Sequence, residues 1–263
     1  MKLMAGEMSE RPLHGWYLPV KAFIDFTAGV LLLALFTPVI VLAAGLVKLT
    51  SRGPAFYRQT RVGKHGRHFQ IIKLRSMRQD AEVGTGAVWC AAEDDRITPL
   101  GKILRATHLD ELPQLINVVK GEMSLVGPRP ERPEFVRNFE MLIEGYAARS
   151  LVRPGITGIA QLRLPPDTDL NSVKQKLHFD LYYVRHISLW LDLLSIAFTG
   201  LNFQISLLRA LVPAALRIPT QDVVRADSQS GRRERTESVT IPVPVRRESP
   251  TAETATSRVV SMT

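Results

Sequence analysis

Two adjacent carboxylates, Asp110 and Glu111, lie between two arginines in the segment from residue 104 to residue 130, which reads LRATHLDELPQLINVVKGEMSLVGPRP. Arg105 precedes the pair, and Arg129 follows it inside a Gly-Pro-Arg-Pro turn. A carboxylate can serve as a nucleophile or as a ligand of Mg²⁺. A guanidinium presents a planar fork of N–H donors to phosphate oxygens, and the flanking prolines restrict the backbone around Arg129. The segment therefore carries the groups that a reaction at phosphorus needs.

A structural explanation of Asp110 is also open. An aspartate at the start of a helix accepts hydrogen bonds from the free N–H groups of the first turn, and a glutamate after it is favoured by the helix dipole. Pro113 fits the same placement, because a first-turn residue has no intrahelical N–H bond to lose. The local pattern therefore predicts either a helix cap or an active-site dyad, and caps are the commoner of the two.

Further cations precede the dyad. Lys73 and Arg75 follow an apolar stretch, Phe69 to Ile72, that predicts a strand, and they alternate in phase at its end. They are the stronger site candidates in a group of basic residues C-terminal to the first apolar segment. That group comprises Lys48, Arg52, Arg58, Arg61, Lys64, Arg67, Lys73, Arg75 and Arg78. The alternative role for most of the group is a collar that binds anionic lipid headgroups, at about 1 kcal/mol per cation.

Short elements are predicted around these residues. Two glycines in residues 63–66 predict a hairpin turn. A helix is predicted from residue 99 to about 106, with Thr98 as its cap, a proline as its first residue and Arg105 in its last turn. Residues 112–119 predict a short apolar helix that ends at a Lys-Gly stop signal.

After the dyad, the spacing of the apolar residues mostly predicts helices. Residues 131–149 predict an amphipathic helix, and residues 159–164 predict a strand. A helix that carries Asp180 is predicted at residues 172–186. A second, largely apolar helix is predicted from residue 189 to about 208, and we expect it in or near the plane of the lipid headgroups.

The longest apolar segment runs from Phe26 to Val47 without a charged residue. At about 1.5 Å per residue it is long enough to reach across a hydrocarbon core. Pro38 lies near its middle, where it removes a backbone hydrogen bond and clashes with the carbonyl of Ala34. The hydroxyl of Thr37 can turn back onto a preceding carbonyl and deepen a bend. These residues are compatible both with a spanning helix and with a bent helix that enters and leaves by one face.

Composition limits the kinds of partner and of binding site that this chain can have. The 263 residues include 34 Lys plus Arg and 25 Asp plus Glu, and the net charge of +9 favours anionic partners such as nucleic acid, anionic lipid or phosphorylated substrates. There is no recognisable nucleic-acid-binding signature, dinucleotide loop or Walker loop. The single Cys90 excludes an internal disulfide and a multi-cysteine zinc site. From Thr220 the chain turns to Ser, Thr, Arg, Glu and Pro without aromatic residues, which predicts a disordered tail.

Three ordered blocks resemble a single family. LDELPQLINVVKGEMSLVGPRP, the upstream AFYRQTRVGKHGRHFQIIKLRSM and the downstream RPGITGIAQLR are similar to the bacterial sugar transferases, which are monotopic polyprenyl-phosphate phosphoglycosyl transferases, in their small catalytic-core form. The resemblance extends from Lys21 to Leu194. One departure is His108, where the family more often has a small hydroxyl residue.

The resemblance implies transfer of a sugar-1-phosphate from a UDP-sugar to a polyprenyl phosphate, usually undecaprenyl phosphate. UMP is released, and synthesis of a surface glycan such as exopolysaccharide, capsule or O-antigen begins. The resemblance also implies that Asp110 is the nucleophile of a covalent intermediate. Because phosphoryl transfer needs charge neutralised on the diphosphate, we expect Asp110 or Glu111 to bind Mg²⁺. The alternative role of Glu111 is to orient the metal or to assist the second step. The further residues expected to bind substrate or its phosphates are Arg105, Arg129, Lys73, Arg75 and Asp180, the last as a third carboxylate.

The expected architecture is a helix-dominated α+β fold attached to one face of the bacterial inner membrane. The resemblance favours a Pro-kinked re-entrant helix at residues 22–48, after a leader at 1–21. A catalytic domain with interfacial helices is expected at 49–219, facing the cytoplasm, and the tail at 220–263. The alternative is a non-enzymatic, membrane-anchored scaffold that binds anionic lipid through the basic collar, which would not need a compact cluster of acids and cations. The sequence indicates neither the sugar nor the oligomeric state.

Overall fold

The computed structural model describes residues 15–82 and 94–211. The described chain is a helix-dominated α+β fold with one long apolar N-terminal helix, as expected. In chain order its elements are α1 (Tyr17–Thr50), β1 (Phe56–Val62), β2 (His68–Leu74), α2 (Pro99–Ala106), α3 (Leu115–Val119), β3 (Ser124–Val126), α4 (Pro133–Leu142), β4 (Gly155–Thr157), α5 (Ile159–Arg163), α6 (Leu170–His186) and α7 (Leu189–Leu211). Short 3₁₀ helices span Lys64–Gly66, Leu109–Gln114 and Tyr146–Leu151.

Strands β1 and β2 form the predicted antiparallel hairpin, with Phe56 opposite Leu74 and Val62 opposite His68. The free edge of β2 is closed by a side chain. Asn117, fully buried in α3, accepts a hydrogen bond from Ile72 N at 3.1 Å and donates to Gln70 O at 2.7 Å. Its amide thus replaces a neighbouring strand and fixes α3 against the hairpin.

Strands β3 and β4 pair in parallel and bring the Gly-Pro-Arg-Pro turn beside the loop at residues 153–158. Glycines allow this close approach. A Cβ on Gly127 would lie 2.4 Å from Arg153 O, and a Cβ on Gly158 would lie 2.3 Å from Gly127 O. Because these distances are far below van der Waals contact, the two backbones can touch only without side chains.

Helix α1 lies along the rest of the fold for most of its length, about 50 Å at 1.5 Å per residue. In its N-terminal half, a Cβ on Gly29 would lie 3.1 Å from a methyl group of Val118, so α1 approaches α3 closely there. Near its C-terminus, Val47 packs with Leu74 and Leu104. The helix is continuous through Pro38, so the kink expected there is not seen as a break. Thr37 does turn its hydroxyl onto Leu33 O, at 2.6 Å, as predicted.

Buried polar side chains join the first turns of α1 to α7. Tyr17 and Lys21 of α1 both donate to Asp192 of α7 at 2.7 Å, and Tyr183 donates to its other oxygen, also at 2.7 Å. The exposed faces are apolar. They include Phe23, Phe26, Leu31, Leu35, Leu42, Leu46 and Leu49 on α1, and Trp190, Leu193, Phe198 and Leu201 on α7. By length and composition α1 is compatible with a membrane anchor.

The structure corrects two predicted elements. The helix expected at 131–149 is two pieces, because Gly145 adopts a positive φ of 79° between α4 and the 3₁₀ helix Tyr146–Leu151. The strand expected at 159–164 is the short helix α5, and the strand β4 precedes it. Cys90, residues 1–14 of the predicted leader and the tail at 220–263 lie outside the described residues.

Candidate active site

The dyad lies in the 3₁₀ helix Leu109–Gln114, which we name the dyad helix. Its N-cap is His108, a left-handed residue with φ 54°, and no side chain caps this helix. His108 N donates to Arg105 O at 3.2 Å, so this residue also ends α2. The left-handed conformation costs histidine less than most side chains. The interpretation of Asp110 as a helix cap is therefore wrong, because Asp110 lies inside the dyad helix.

Glu111 is held by two cations. Lys73 Nζ lies 2.6 Å and Arg129 Nη2 lies 2.8 Å from the same oxygen, Oε1. Burial alone would raise the pKa of Glu111, but attraction and hydrogen bonds from Arg129 and Lys73 outweigh burial and hold that pKa well below its usual range. Glu111 is therefore a fixed, ionised carboxylate at neutral pH.

Asp110 has the opposite environment. It is 7% exposed, and its carboxylate forms no hydrogen bond or ion pair with any residue in the described ranges. Burial, followed by repulsion from Glu111, raises the pKa of Asp110, while the nearby charges of Lys73 and Arg105 oppose the rise. The dyad thus joins one committed carboxylate to one that is free to bind or attack.

The cations reach the dyad from separate elements. Lys73 comes from the end of β2, and burial lowers its pKa although Glu111 opposes that effect. Arg129 comes from the Gly-Pro-Arg-Pro turn, and the charge of Glu111 raises its pKa. Arg105 lies in the last turn of α2, as predicted, close enough for its charge to act on Asp110.

Two of the residues predicted for the site lie elsewhere. Arg75 is 6% exposed and donates through Nη2 to the backbone oxygen and the hydroxyl of Ser51, at 2.8 and 2.6 Å. It therefore joins the end of α1 to the end of β2. Asp180 is 3% exposed and paired with Arg149 at 2.7 Å, so its contacts are with the protein and it has almost no surface to offer a substrate.

Sequence reasoning missed Arg149 and Asn117. Arg149 is the last residue of the amphipathic helix predicted at 131–149, and its charge gave no local signal of a partner thirty-one positions away. Asn117 lies in an apolar segment between Ile116 and Val118. A polar residue in such a segment is the signal that could have found it, because a buried amide needs hydrogen-bond partners.

The dyad can offer oxygen ligands to Mg²⁺. Asp110 has an uncommitted carboxylate, and Glu111 retains Oε2, since both cations bind Oε1. No group of three or more potential ligands occurs among the described residues. Two carboxylates suffice where substrate phosphates complete the coordination, which is the usual arrangement for Mg²⁺. The residues present therefore fit a metal bound together with substrate.

Comparison with known proteins identifies the family of this chain. The family described as bacterial sugar transferase matches residues 16–204. A UDP-N-acetylgalactosamine-undecaprenyl-phosphate N-acetylgalactosaminephosphotransferase of Aeromonas hydrophila is 44% identical over 189 residues, which cover 72% of this chain and 44% of that protein. A UDP-glucose:undecaprenyl-phosphate glucose-1-phosphate transferase of Caulobacter vibrioides is 47% identical over 175 residues, covering 66% and 65% of the two chains.

An exopolysaccharide production protein of Rhizobium leguminosarum is 39% identical over 181 residues, which cover 67% of this chain and 90% of that protein. The chain thus spans less than half of the Aeromonas protein and about two thirds of the Caulobacter protein. The matched region contains the hairpin, the dyad helix, the Gly-Pro-Arg-Pro turn and the described part of the fold up to α7. This chain belongs to the bacterial sugar transferase family.

Proposed function

We propose that this chain transfers a sugar-1-phosphate from a UDP-sugar to undecaprenyl phosphate through a covalent intermediate on Asp110. The donor and acceptor classes come from the relatives that are named as UDP-sugar and undecaprenyl-phosphate transferases. The product is a lipid-linked sugar diphosphate that starts a surface glycan, and the name of the Rhizobium relative favours an exopolysaccharide.

The two carboxylates of the dyad differ in their partners, and this difference is the observation that carries the proposal. A nucleophile needs an accessible lone pair, and the carboxylate of Asp110 has no partner to release among the described residues. Its raised pKa also makes it a better electron donor once it is ionised. Glu111, in contrast, is engaged by Lys73 and Arg129 and serves to hold those cations in place.

The reaction proceeds in two displacements. An oxygen of Asp110 attacks the sugar-side phosphorus of the donor, the bond from that phosphorus to the bridging oxygen breaks, and UMP leaves with the electron pair. An oxygen of the polyprenyl phosphate then attacks the same phosphorus, and the carboxylate of Asp110 is released. Two displacements replace one difficult transfer between two anions.

The cations of the site suit this chemistry. Arg129 and Lys73 lie on one side of Glu111, and Arg105 lies near Asp110, so positive charge surrounds the position where the diphosphate must approach. Fixed cations of this kind neutralise phosphate oxygens and stabilise the charge that develops on the leaving group. Bound Mg²⁺ would supply further positive charge against the same oxygens.

We further propose a monotopic arrangement at the cytoplasmic face of the inner membrane. Both ends of α1 contact the same body, since Lys21 pairs with Asp192 and Val47 packs on Leu74. A helix that crossed about 30 Å of hydrocarbon would carry one of these ends away from a domain that stays in water. The apolar outer faces of α1 and α7 would lie in lipid, and the dyad at headgroup depth, where the acceptor phosphate is found.

The topology is testable by labelling. The variants Met4→Cys and Thr263→Cys, each in a Cys90→Ser background, are treated with a membrane-impermeant thiol reagent in sealed inner-membrane vesicles. Labelling of both from the cytoplasmic face is expected for re-entry. Labelling from opposite faces would reject it.

The reaction is testable with the purified full chain in detergent, using Mg²⁺, undecaprenyl phosphate and a panel of UDP-sugars. We expect UMP release with one donor and none from Asp110→Asn. Asp169→Asn is the matched control, because this exposed residue caps α6 and asparagine caps a helix equally well. It should retain wild-type activity.

A second assay isolates the covalent step. Without the lipid acceptor, donor labelled in the sugar should give a burst of UMP of no more than one per enzyme and leave the label on the protein. A burst retained by Asp110→Asn would reject the nucleophile. Binding to anionic vesicles without turnover of any donor would instead favour the lipid-binding scaffold.

A further inference from the structure

Four consecutive carbonyls around Arg129 are each bound by a donor from another part of the fold. Gly155 N donates to Pro128 O, and Val62 N donates to Glu131 O, both at 2.9 Å. The two carbonyls between them are bound by arginine side chains. Arg149 Nη2 donates to Arg129 O at 2.9 Å, and Arg61 Nη1 donates to Pro130 O at 3.1 Å. We name residues 128–131 with these four bonds the turn frame.

The turn has few backbone N–H donors of its own, so its conformation depends on donors from other elements. Pro128 and Pro130 have no backbone N–H, so the turn cannot close many hydrogen bonds on itself. Its conformation is fixed instead by groups that converge from β1, from β4 and from the 3₁₀ helix Tyr146–Leu151.

Arg149 is the most fully engaged of these donors. It is 6% exposed, its Nε and Nη2 bind Asp180 Oδ2 at 2.9 and 2.7 Å, and its Nη1 donates to the Tyr146 hydroxyl at 3.1 Å. Asp180 therefore orients the guanidinium, and one nitrogen, Nη2, is shared between Asp180 and Arg129 O.

This geometry requires the planar fork of arginine. A lysine could keep the charge beside Asp180, but one ammonium group cannot reproduce three fixed nitrogens that reach a carboxylate, a hydroxyl and a carbonyl. The carbonyl is that of Arg129, whose own guanidinium lies 2.8 Å from Glu111. The chain of contacts thus runs from Asp180 through Arg149 and the Arg129 backbone to the dyad.

We propose that Arg149, oriented by Asp180, is a positioning residue that sets the direction of the Arg129 side chain toward the dyad. Neither Arg149 nor Asp180 touches the substrate. The proposal rests on the proposed function only for its kinetic consequence, since the structural part concerns the turn frame alone. It assigns Asp180 an indirect role in place of direct substrate binding.

Hydrogen exchange tests the structural part without any turnover. The measured peptide covers residues 153–158, because Gly155 N donates to Pro128 O of the turn. Its exchange is compared in the full chain in detergent for the wild type, Arg149→Lys and Asp180→Asn. Loss of the bond to Arg129 O should loosen the turn and raise exchange in this peptide about tenfold while the β1–β2 hairpin stays protected. The control is Val173→Ala, which weakens α6 in the same neighbourhood without reaching the turn, and it should leave the peptide within about twofold of wild type.

Kinetics test the consequence. A small displacement of a positioned group can lower a rate about 100-fold, so Arg149→Lys should lower kcat by about 10- to 100-fold with little change in KM for the UDP-sugar. In an Arg129→Ala background the same substitution should cost less than about twofold, because the group that it positions is already absent.

The outcomes separate the two claims. Unchanged exchange in both variants would overturn the turn frame, whatever the activity. Raised exchange with wild-type kcat in Arg149→Lys, or an equal loss of kcat with and without Arg129, would overturn the positioning role. If the wild type turns over no donor, the proposed function fails, and the exchange data alone then decide whether Arg149 fixes the turn.

Discussion

Lys21, in the first turns of α1, lies 2.7 Å from Asp192 of α7, and both side chains are almost fully buried. The two helices whose outer faces are apolar are thus joined on their inner faces by an ion pair. Tyr17 and Tyr183 add hydrogen bonds to the same aspartate. A buried charge that keeps all its partners is tolerated, whereas one that loses a partner is costly.

Lys21→Met should therefore lower the free energy of unfolding by about 3 kcal/mol, because Asp192 is left buried without its cation. Thermal unfolding in detergent measures this loss. The double variant Lys21→Met/Asp192→Leu should recover part of it, because Asp25 still loses its contact with Lys21 and the Tyr17 hydroxyl loses its acceptor. Lys48→Met, at the exposed end of α1, is the control. A double variant no more stable than the single one would contradict the argument.

The pH dependence of UMP release in a single turnover should follow the ionisation of Asp110. Because burial and Glu111 raise its pKa, the rate should fall at a pH above the ordinary range of an aspartate. Glu111→Gln removes a repulsive charge and should move the pH at which the rate falls to a lower value. Arg105→Gln removes an attractive charge and should move it to higher pH, so a shift of both variants in one direction would be inconsistent with these assignments.

Glu131, next to the turn, should make stability depend on pH. Burial opposes its ionisation, but Lys176, Arg149 and Arg61 lower its pKa to about 2. A depressed pKa stabilises the fold above the unfolded value of about 4.5, and this contribution is lost as pH falls toward 2; it amounts to about 3 kcal/mol.

Urea unfolding at several pH values between 3 and 7 checks the contribution of Glu131. The difference between wild type and Glu131→Gln should be largest near neutral pH and should shrink as the pH approaches 3. Glu140→Gln, exposed on α4, should give no such trend. A constant difference across the range would show that the Glu131 charge is not the cause.

Asn117→Leu should destabilise the hairpin without touching the dyad. It leaves Ile72 N buried without a partner and removes the bond to Gln70 O, at a total cost of about 2–4 kcal/mol. For a chain of this size that lowers Tm by about 10 °C. Asn171→Leu, at an exposed position in the first turn of α6, is the matched control, and equal losses in the two variants would refute the proposed edge closure.

Two glycines offer a matched pair of substitutions. A Cβ on Gly127 would lie 2.4 Å from Arg153 O, so Gly127→Ala must displace the turn that carries Arg129. We expect a loss of activity of about 100-fold or more. A Cβ on Gly200 of α7 meets nothing within 4 Å, so Gly200→Ala should keep activity and add up to about 1 kcal/mol of stability. Similar activity in the two variants would contradict the role of the Gly127 contact.

The sequence correctly predicted the elements whose ends depend on a few neighbouring residues. Thr98 and the proline after it begin α2 as expected, with Gly101 N donating to the Thr98 hydroxyl at 2.9 Å. Gly121 ends α3 with a positive φ of 74°. The hairpin follows from its alternating strands and the glycines between them. Each of these signals acts over a few residues and needs no distant partner.

One missed feature has a local cause: Gly145, whose positive φ allows the chain to turn into a 3₁₀ helix, interrupts the helix expected at 131–149. The other features that escaped prediction depend on distant contacts. The dyad was identified, but its asymmetry was not, because Lys73 and Arg129 reach Glu111 from positions 38 and 18 residues away. The resemblance places Asp180 among the site carboxylates, and no local signal indicates its pairing with Arg149, 31 residues away.

The packing of α1 has a practical consequence for anyone who wishes to produce this protein in soluble form. Deleting residues up to 50 would not release an intact domain, because Tyr17, Ala43 and Val47 are buried in the same cores as Tyr183, Leu74 and Leu104. Helix α1 therefore forms part of the hydrophobic cores of the domain as well as its apolar surface. A soluble version is better sought by replacing the outward leucines and phenylalanines of α1 and α7 with polar residues, while every inward side chain is kept.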